Sequence, residues 1–136
     1  MTEWVFVAPC LSELKLRMHE IGAHGEELAA KHLVAKGYRI LDRNWRSRRG
    51  EIDLVAEKDG EIVFVEVKAR RSHAFGTPEE AVTRAKQQKL IRTANAYLAR
   101  RGSPDTRWRI DVIALDLNVE GEVVRLEHFE NAVSGD

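Results

Sequence analysis

An α/β domain built on a mixed five-stranded sheet, in the order α-β-β-β-α-β-β, is the fold class this sequence predicts. Two helical stretches, about residues 19–36 and 77–101, are separated by runs rich in β-branched and aromatic residues. Two of those runs, EIDLVAEK and EIVFVEVKAR, are joined by Asp59-Gly60, a strong short signal for a hairpin. Helix, three strands, helix and two strands is the order of an α/β layer architecture with helices against a mixed sheet.

The elements follow from local chemistry. Residues 1–18 have no clear period and are expected to form an extension of uncertain order. The first helix is predicted from His19 to Lys36, ended by Gly37, with Glu27 and Lys31 as an i,i+4 pair. YRILDRNWR has the content of a strand, and the hairpin supplies two more. RSHAFG reads as a loop. The second helix is predicted to start at Thr77 as N-cap, with Pro78 at its first position and Glu80 completing a capping box, and to run to Arg101, where GSPD breaks it. RWRIDVIALD and EVVRLEHFE are the closing strands, around a turn at Asn118 to Gly121. The expected organisation is one domain over 19–130, with a tail at 131–136.

The chain has 136 residues, 43% hydrophobic and 32% charged, enough to close one core without disulfides or structural metals. No run approaches the ~18 apolar residues that a membrane helix needs. Glu3 precedes the short apolar run near the N-terminus, where a signal peptide would carry basic residues, and the single Cys10 suits a reducing compartment. A cytoplasmic protein without membrane contact is expected. The formal net charge of zero hides an asymmetry: residues 1–110 hold 21 basic against 15 acidic residues, and residues 111–136 hold one against seven. The basic excess around RILDRNWRSRRG and the second helix points to a polyanionic partner.

The hairpin poses the chemical question. A two-residue Asp59-Gly60 loop sets Lys58 opposite Glu61, and counting back gives Val55 opposite Phe64, Asp53 opposite Glu66 and Glu51 opposite Lys68. Alternation then places Asp53, Glu66 and Lys68 on one side, and Ile52, Leu54 and Ala56 on the other with Val63, Val65 and Val67. Facing like charges destabilise a strand pair, and burial raises the cost. A divalent cation between the carboxylates offsets that repulsion, and oxygen ligands suit Mg²⁺ or Mn²⁺. Lys68 would orient a water or stabilise charge on a phosphate. The alternative is a buried ion cluster in which Lys68 and an arginine neutralise the acids without metal. Glu26 on the first helix shares the angular position of Leu33 and so turns toward the packed side, where it becomes a third acid.

Asp53, then Glu66-Val67-Lys68 on the next strand, preceded by a helix bearing an acid, resembles the PD-(D/E)xK nuclease superfamily. The closer resemblance is to the YraN-like family of small bacterial proteins, related to archaeal Holliday junction resolvases. It runs from about Gly22 to Leu98, with an echo in RIDVIAL. The resemblance implies a restriction-endonuclease-like core with a metal site at the edge of the central hairpin. It implies Asp53, Glu66 and the Val67 carbonyl as metal ligands, Lys68 as the catalytic lysine and Glu26 as the helix acid. The proline of the superfamily name is absent, since Ile52 stands before Asp53.

The expected activity is metal-dependent phosphodiester hydrolysis, with Mg²⁺ or Mn²⁺ as cofactor. The substrate is expected to be nucleic acid, DNA before RNA, including branched repair or recombination intermediates. Arg46, Arg48, Arg49, Arg70 and Arg71 are candidates to grip phosphates, and Lys86 and Gln87 on the second helix are within reach of the site. Trp45 reads as a sheet residue rather than a base-stacking platform. Cutting a branched substrate calls for two sites and hence a homodimer, although no apolar interface stripe is legible. A non-catalytic nucleic-acid-binding module and an interaction scaffold using the acidic end are the other readings.

Overall fold

The structure, a computed structural model, describes residues 24–70, 82–102 and 105–133. Helix α1 occupies residues 24–35 of these. Strands β1 (Arg39–Ser47), β2 (Gly50–Lys58) and β3 (Glu61–Arg70) follow, then helix α2 (Arg84–Arg101), β4 (Trp108–Leu117) and β5 (Val123–Val133). The order α-β-β-β-α-β-β is the one read from the sequence. The N-terminal extension, residues 19–23 of the first helix, the RSHAFG loop and the Thr77–Glu80 capping box lie outside the described residues. None of the described helices is long and apolar enough to cross a membrane.

The strands form one sheet in the order β1-β2-β3-β4-β5. Its pairs are antiparallel except β3 with β4, which run parallel with α2 lying between them in the chain. Both faces are covered, as the two-sided apolar pattern implies. On one face Leu90, Ala94, Tyr97 and Leu98 of α2 pack on Ile62, Phe64, Ile110 and Val112. On the other, Ala29, Ala30 and Leu33 of α1 pack on Leu54, Ala56, Val63, Val65, Ile113 and Leu115. Each large side chain buried this way contributes about 1.5–3 kcal/mol. Phe64 meets both Tyr97 and Trp108 edge to face. Trp45 meets Tyr97 in the same manner, in keeping with a sheet residue.

The helix ends have local causes. At the end of α1 the Tyr38 amide donates to the Leu33 carbonyl and the Gly37 amide to that of Val34, each at 3.0 Å, with Gly37 at φ 92°. This is a Schellman closure, and Tyr38 and Leu33 share the same core beneath it. Glu27 bonds Arg43 at 2.7 Å rather than pairing mainly with Lys31. The second helix does not run unbroken from Thr77. It starts at Arg84, with Thr83 as the N-cap whose hydroxyl accepts from the Lys86 amide. Val82 is buried in the α2-side core just before that cap, which fixes where the helix can begin. Gly102 in the left-handed conformation ends it, at the predicted break.

The Asp59-Gly60 reversal has positive φ at both residues (52° and 79°), as a type I′ turn requires, and Lys58 stands opposite Glu61 and Val55 opposite Phe64. The ladder stops at Leu54 opposite Val65. Asp53 with Glu66 and Glu51 with Lys68, expected as facing pairs, are therefore not ladder partners. The cause lies in β1 and β2 together. Arg43 pairs with Leu54 and Trp45 with Ile52, while Asn44 and Asp53 between them are outside the ladder. Residues two apart on a regular strand share a face. Here Leu54 belongs to the α1-side core and Ile52 to the α2-side core. Likewise Arg43 reaches Glu27 of α1, whereas Trp45 packs on the α2 side. Both strands turn over at one level, where Asn44 takes φ 50°. Ile52 thus leaves the face that alternation assigns it with Leu54 and Ala56.

Candidate functional site

The turnover in β2 frees Asp53 from the alternation and creates the site. From a two-residue turn, hydrogen-bonded positions recur at every second pair. Val67 occupies such a position, aimed at where Ile52 would have continued the ladder. Instead its amide donates to Asp53 Oδ2 at 2.8 Å. The carboxylate replaces a missing backbone acceptor, and the same count leaves the Val67 carbonyl on the side where the ladder has ended. Asp53, Glu66 and Val67 thus converge as expected, by a side-chain bridge rather than a regular cross-strand pair.

Glu66 is 7% exposed, and Lys86 of α2 brings Nζ to 3.6 Å from its Oε1. Burial, then repulsion from Asp53, pushes its carboxyl from 4.5 up to about 7, against the pull of Lys86 and Lys68. Burial also raises Asp53, with the Val67 N–H opposing it, Glu51 adding to it and Lys86 opposing it. On α1, Glu26 is raised first by burial and then by the charge of Asp53, while a hydrogen bond with the Asn44 side chain works the other way. Glu26 therefore does reach the acid group. Lys68, half-buried two residues beyond Glu66, acts on that carboxylate through its charge.

Two glycines allow the helices to come this close. A Cβ on Gly25 of α1 would meet Leu115 Cδ1 at 2.7 Å, so the residue next to Glu26 must lack a side chain for α1 to lie on β4. A Cβ on Gly50 would meet Thr93 Oγ1 at 2.8 Å and Lys89 Cε at 3.0 Å, which keeps the start of β2 against α2. Beside the acids opens a cavity of about 430 Å³ lined by Arg46, Ser47, Arg48, Gly50, Glu51, Lys86 and Lys89. Lys86 belongs to both the acid group and this basic cleft.

The predicted phosphate contacts separate into distinct groups. Arg46 and Arg48 line the cleft, and Arg46 pairs across the strands with Glu51 at 3.1 Å, so Glu51 has Arg46 rather than Lys68 as its partner. Arg49 borders a neighbouring groove with Arg92, Asn95, Ala96 and Ala99. Arg70 is turned inward: it is ion-paired with Asp116, lies 3.9 Å from Glu127 and is 14% exposed, so it ties β3 to β4 and β5 instead of facing a phosphate. Gln87 donates to the Val82 carbonyl at 2.9 Å and braces the helix start rather than the site. Arg71 lies outside the described residues. Asn44 joins the site without having been expected there. The signal for Asn44 was an asparagine inside a strand, since asparagine tolerates positive φ better than most residues.

Among the described residues no three carboxylate, histidine or cysteine side chains close into a ready-made metal cage. Mg²⁺ seldom needs one, because it keeps several waters and takes one or two carboxylates plus substrate phosphate oxygens. Two desolvated carboxylates, both pushed toward their neutral forms chiefly by burial, fit that requirement.

A second buried polar cluster, missed from the sequence, lies on β4 and β5. Asp111, fully buried, accepts from Arg109 Nε at 2.9 Å and the Asn131 amide at 2.8 Å, and its Oδ2 lies 2.8 Å from His128 Nε2. Arg109 also reaches Glu61 and the Tyr38 hydroxyl, each at 2.7 Å. Burial alone would raise Asp111, but His128, Arg109 and the Asn131 N–H together hold it below the usual range. An aspartate between apolar neighbours in RIDVIAL was the available sign, because a buried carboxylate must be paired.

Comparison with known proteins finds relatives that match most of the chain. A protein of Symbiobacterium thermophilum is 50% identical over 112 residues, spanning 82% of this chain and 94% of the relative. One of Alkaliphilus oremlandii is 50% identical over 115 residues, 83% and 97% of the two chains. One of Roseiflexus castenholzii is 43% identical over 118 residues, 86% and 95%. All three carry the name UPF0102 protein. Among solved structures, Pyrococcus furiosus SfsA in complex with Ca²⁺ is similar at a TM-score of 0.41 and 18% identity, over 83% of this chain and 63% of that one. The model of the Uncharacterised protein family UPF0102 matches residues 25–115, a span that holds Glu26, Asp53, Glu66, Lys68 and Lys86, and the chain belongs to that family.

Proposed function

We propose that this chain is a metal-dependent nuclease that hydrolyses phosphodiester bonds in DNA, branched repair or recombination intermediates included. The observation that carries the reading is the union of two features through Lys86. Half-buried Asp53 and buried Glu66 adjoin, through Lys86, a cleft whose cations are Arg46, Arg48, Lys86 and Lys89. Asp53, Glu66 and the Val67 carbonyl would hold Mg²⁺ or Mn²⁺, with Glu26 acting through water. The ion, when bound, supplies charge stabilisation and an acidified water. Lys68 orients the attacking water and neutralises charge on the phosphoryl oxygens. Arg46, Arg48 and Lys89 bind flanking phosphates and fix the register of the strand.

The experiment is cleavage of branched, flapped and linear DNA with Mg²⁺ or Mn²⁺. Cleavage by the parent and its loss in Asp53→Ala and Lys68→Ala is the expected result; no cleavage of any substrate by the parent ends the proposal. The basic cleft by itself also supports a second reading, a non-catalytic DNA-binding module. Salt-sensitive binding without cleavage would select it.

A further inference from the structure

On the α1 side of the sheet, away from the hairpin acids, two imidazoles face each other. His32 of α1 and His128 of β5 hold Nε2 and Nδ1 3.4 Å apart, with ring centroids 5.4 Å apart and planes at 73°. That separation is long for a hydrogen bond between two ring nitrogens. It matches something else. Two imidazole nitrogens bound at about 2.0–2.1 Å to one tetrahedral ion stand about 3.3–3.4 Å apart, with ring centres about 5 Å apart.

The surroundings of His128 have the form of a ligand's support. Its Nε2 lies 2.8 Å from the buried carboxylate of Asp111. Asp111 is held below the usual carboxylate range, so His128 Nε2 is the donor in that contact and Nδ1 is the atom that faces His32. Asp111 is anchored in turn by Arg109 and the Asn131 amide, which holds the imidazole plane in place. His32 is half-buried and turns Nε2 toward His128 Nδ1. Lys36 and Arg109 oppose a cation here, but Asp111, Glu61 and Glu130 surround Arg109 and outweigh it.

We propose that His32 and His128 form a binding site for a borderline divalent ion of the Zn²⁺, Ni²⁺ or Cu²⁺ class, with Asp111 as the carboxylate that orients His128 and with water or an added ligand completing the coordination. Imidazole nitrogen selects that class, whereas the oxygen ligands at Asp53 and Glu66 select Mg²⁺ or Mn²⁺. A bound ion joins α1 to β5. It would steady the helix that carries Glu26, six residues and about 9 Å along the axis from His32. The site is independent of the nuclease reading.

The test uses tag-free full-length protein carrying Asp53→Asn and Glu66→Gln, so that the carboxylate site is silent. Zn²⁺ titrated by calorimetry should show one saturable equivalent and raise the melting temperature. Adding His32→Ala, at a half-buried position, should weaken that equivalent by more than ~10-fold, at least the loss that removal of a supporting partner causes. Electron paramagnetic resonance of bound Cu²⁺ in the parent should show two nitrogen ligands, falling to one in His32→Ala. Zinc affinity unchanged by His32→Ala, or a copper spectrum with fewer than two nitrogens in the parent, overturns the proposal.

Discussion

Glu66→Gln is the substitution that most directly probes the carboxylate site. The Glu66 carboxyl is raised from 4.5 to about 7 by burial and by the charge of Asp53. A raised acid makes the folded state bind more protons than the unfolded state between about pH 4.5 and 7. Stability from this group is therefore greatest below pH 4.5 and falls as pH rises toward 7. At about 1.4 kcal/mol per unit, the charged form costs the fold about 3 kcal/mol at pH 8. Glutamine keeps the shape and removes the charge, so Glu66→Gln should be more stable than the parent by up to about 3 kcal/mol at pH 8, on the order of 10 °C in melting temperature. At pH 4.5 the gain should vanish. Urea denaturation at both pH values, without divalent ions, measures it. Mg²⁺ at pH 8 should then raise the melting temperature of the parent but not of Glu66→Gln. Equal or lower stability of Glu66→Gln at pH 8 would mean that Lys86 and Lys68 already neutralise the acids, leaving no unmet charge for an ion to satisfy.

Asp111→Ala leaves Arg109 and His128 beside an uncompensated buried site and should destabilise the fold by about 3–5 kcal/mol, read as a shift of the urea midpoint. If the cleft binds DNA backbone, Arg48→Ala and Lys89→Ala should each weaken binding uniformly across sequences and reduce the salt slope by about one, whereas Arg70→Ala should leave the slope unchanged because Arg70 is engaged with Asp116. Fluorescence anisotropy over a salt series distinguishes these outcomes.

The parts of the fold legible in the sequence were those fixed by local chemistry. Asp59-Gly60 permits the positive φ values of its turn, and so the register from Lys58 to Val55 could be counted. Gly37 and Gly102 ended their helices where expected. What could not be read was set by packing between distant residues. Thr83 is as acceptable an N-cap as any other threonine in isolation, and nothing local marks it as the start of the Arg84–Arg101 helix. Arg70 looks like any other arginine of a basic run until β4 brings Asp116 beside it. The Arg109, Asp111 and His128 cluster needs β5 to return along β4, a pairing that no local motif specifies.

The site itself shows why Asp53 and Glu66 could be read as neighbours while their geometry could not. Strict alternation puts Asp53 against Glu66 in a regular ladder, where the two carboxylates would repel and each would need its own relief. The fold relaxes this by interrupting β1 and β2 at Asn44 and Asp53, so that one carboxylate turns to the Val67 amide while Glu66 stays buried beside Lys86. A continuous ladder would have occupied the Val67 amide and carbonyl with Ile52. The interruption removes those two bonds from the ladder, and Asp53 supplies the partner of the Val67 amide. On the proposed reading, the strand break turns the Asp53 carboxylate and the Val67 main chain to the side where a hard cation would bind.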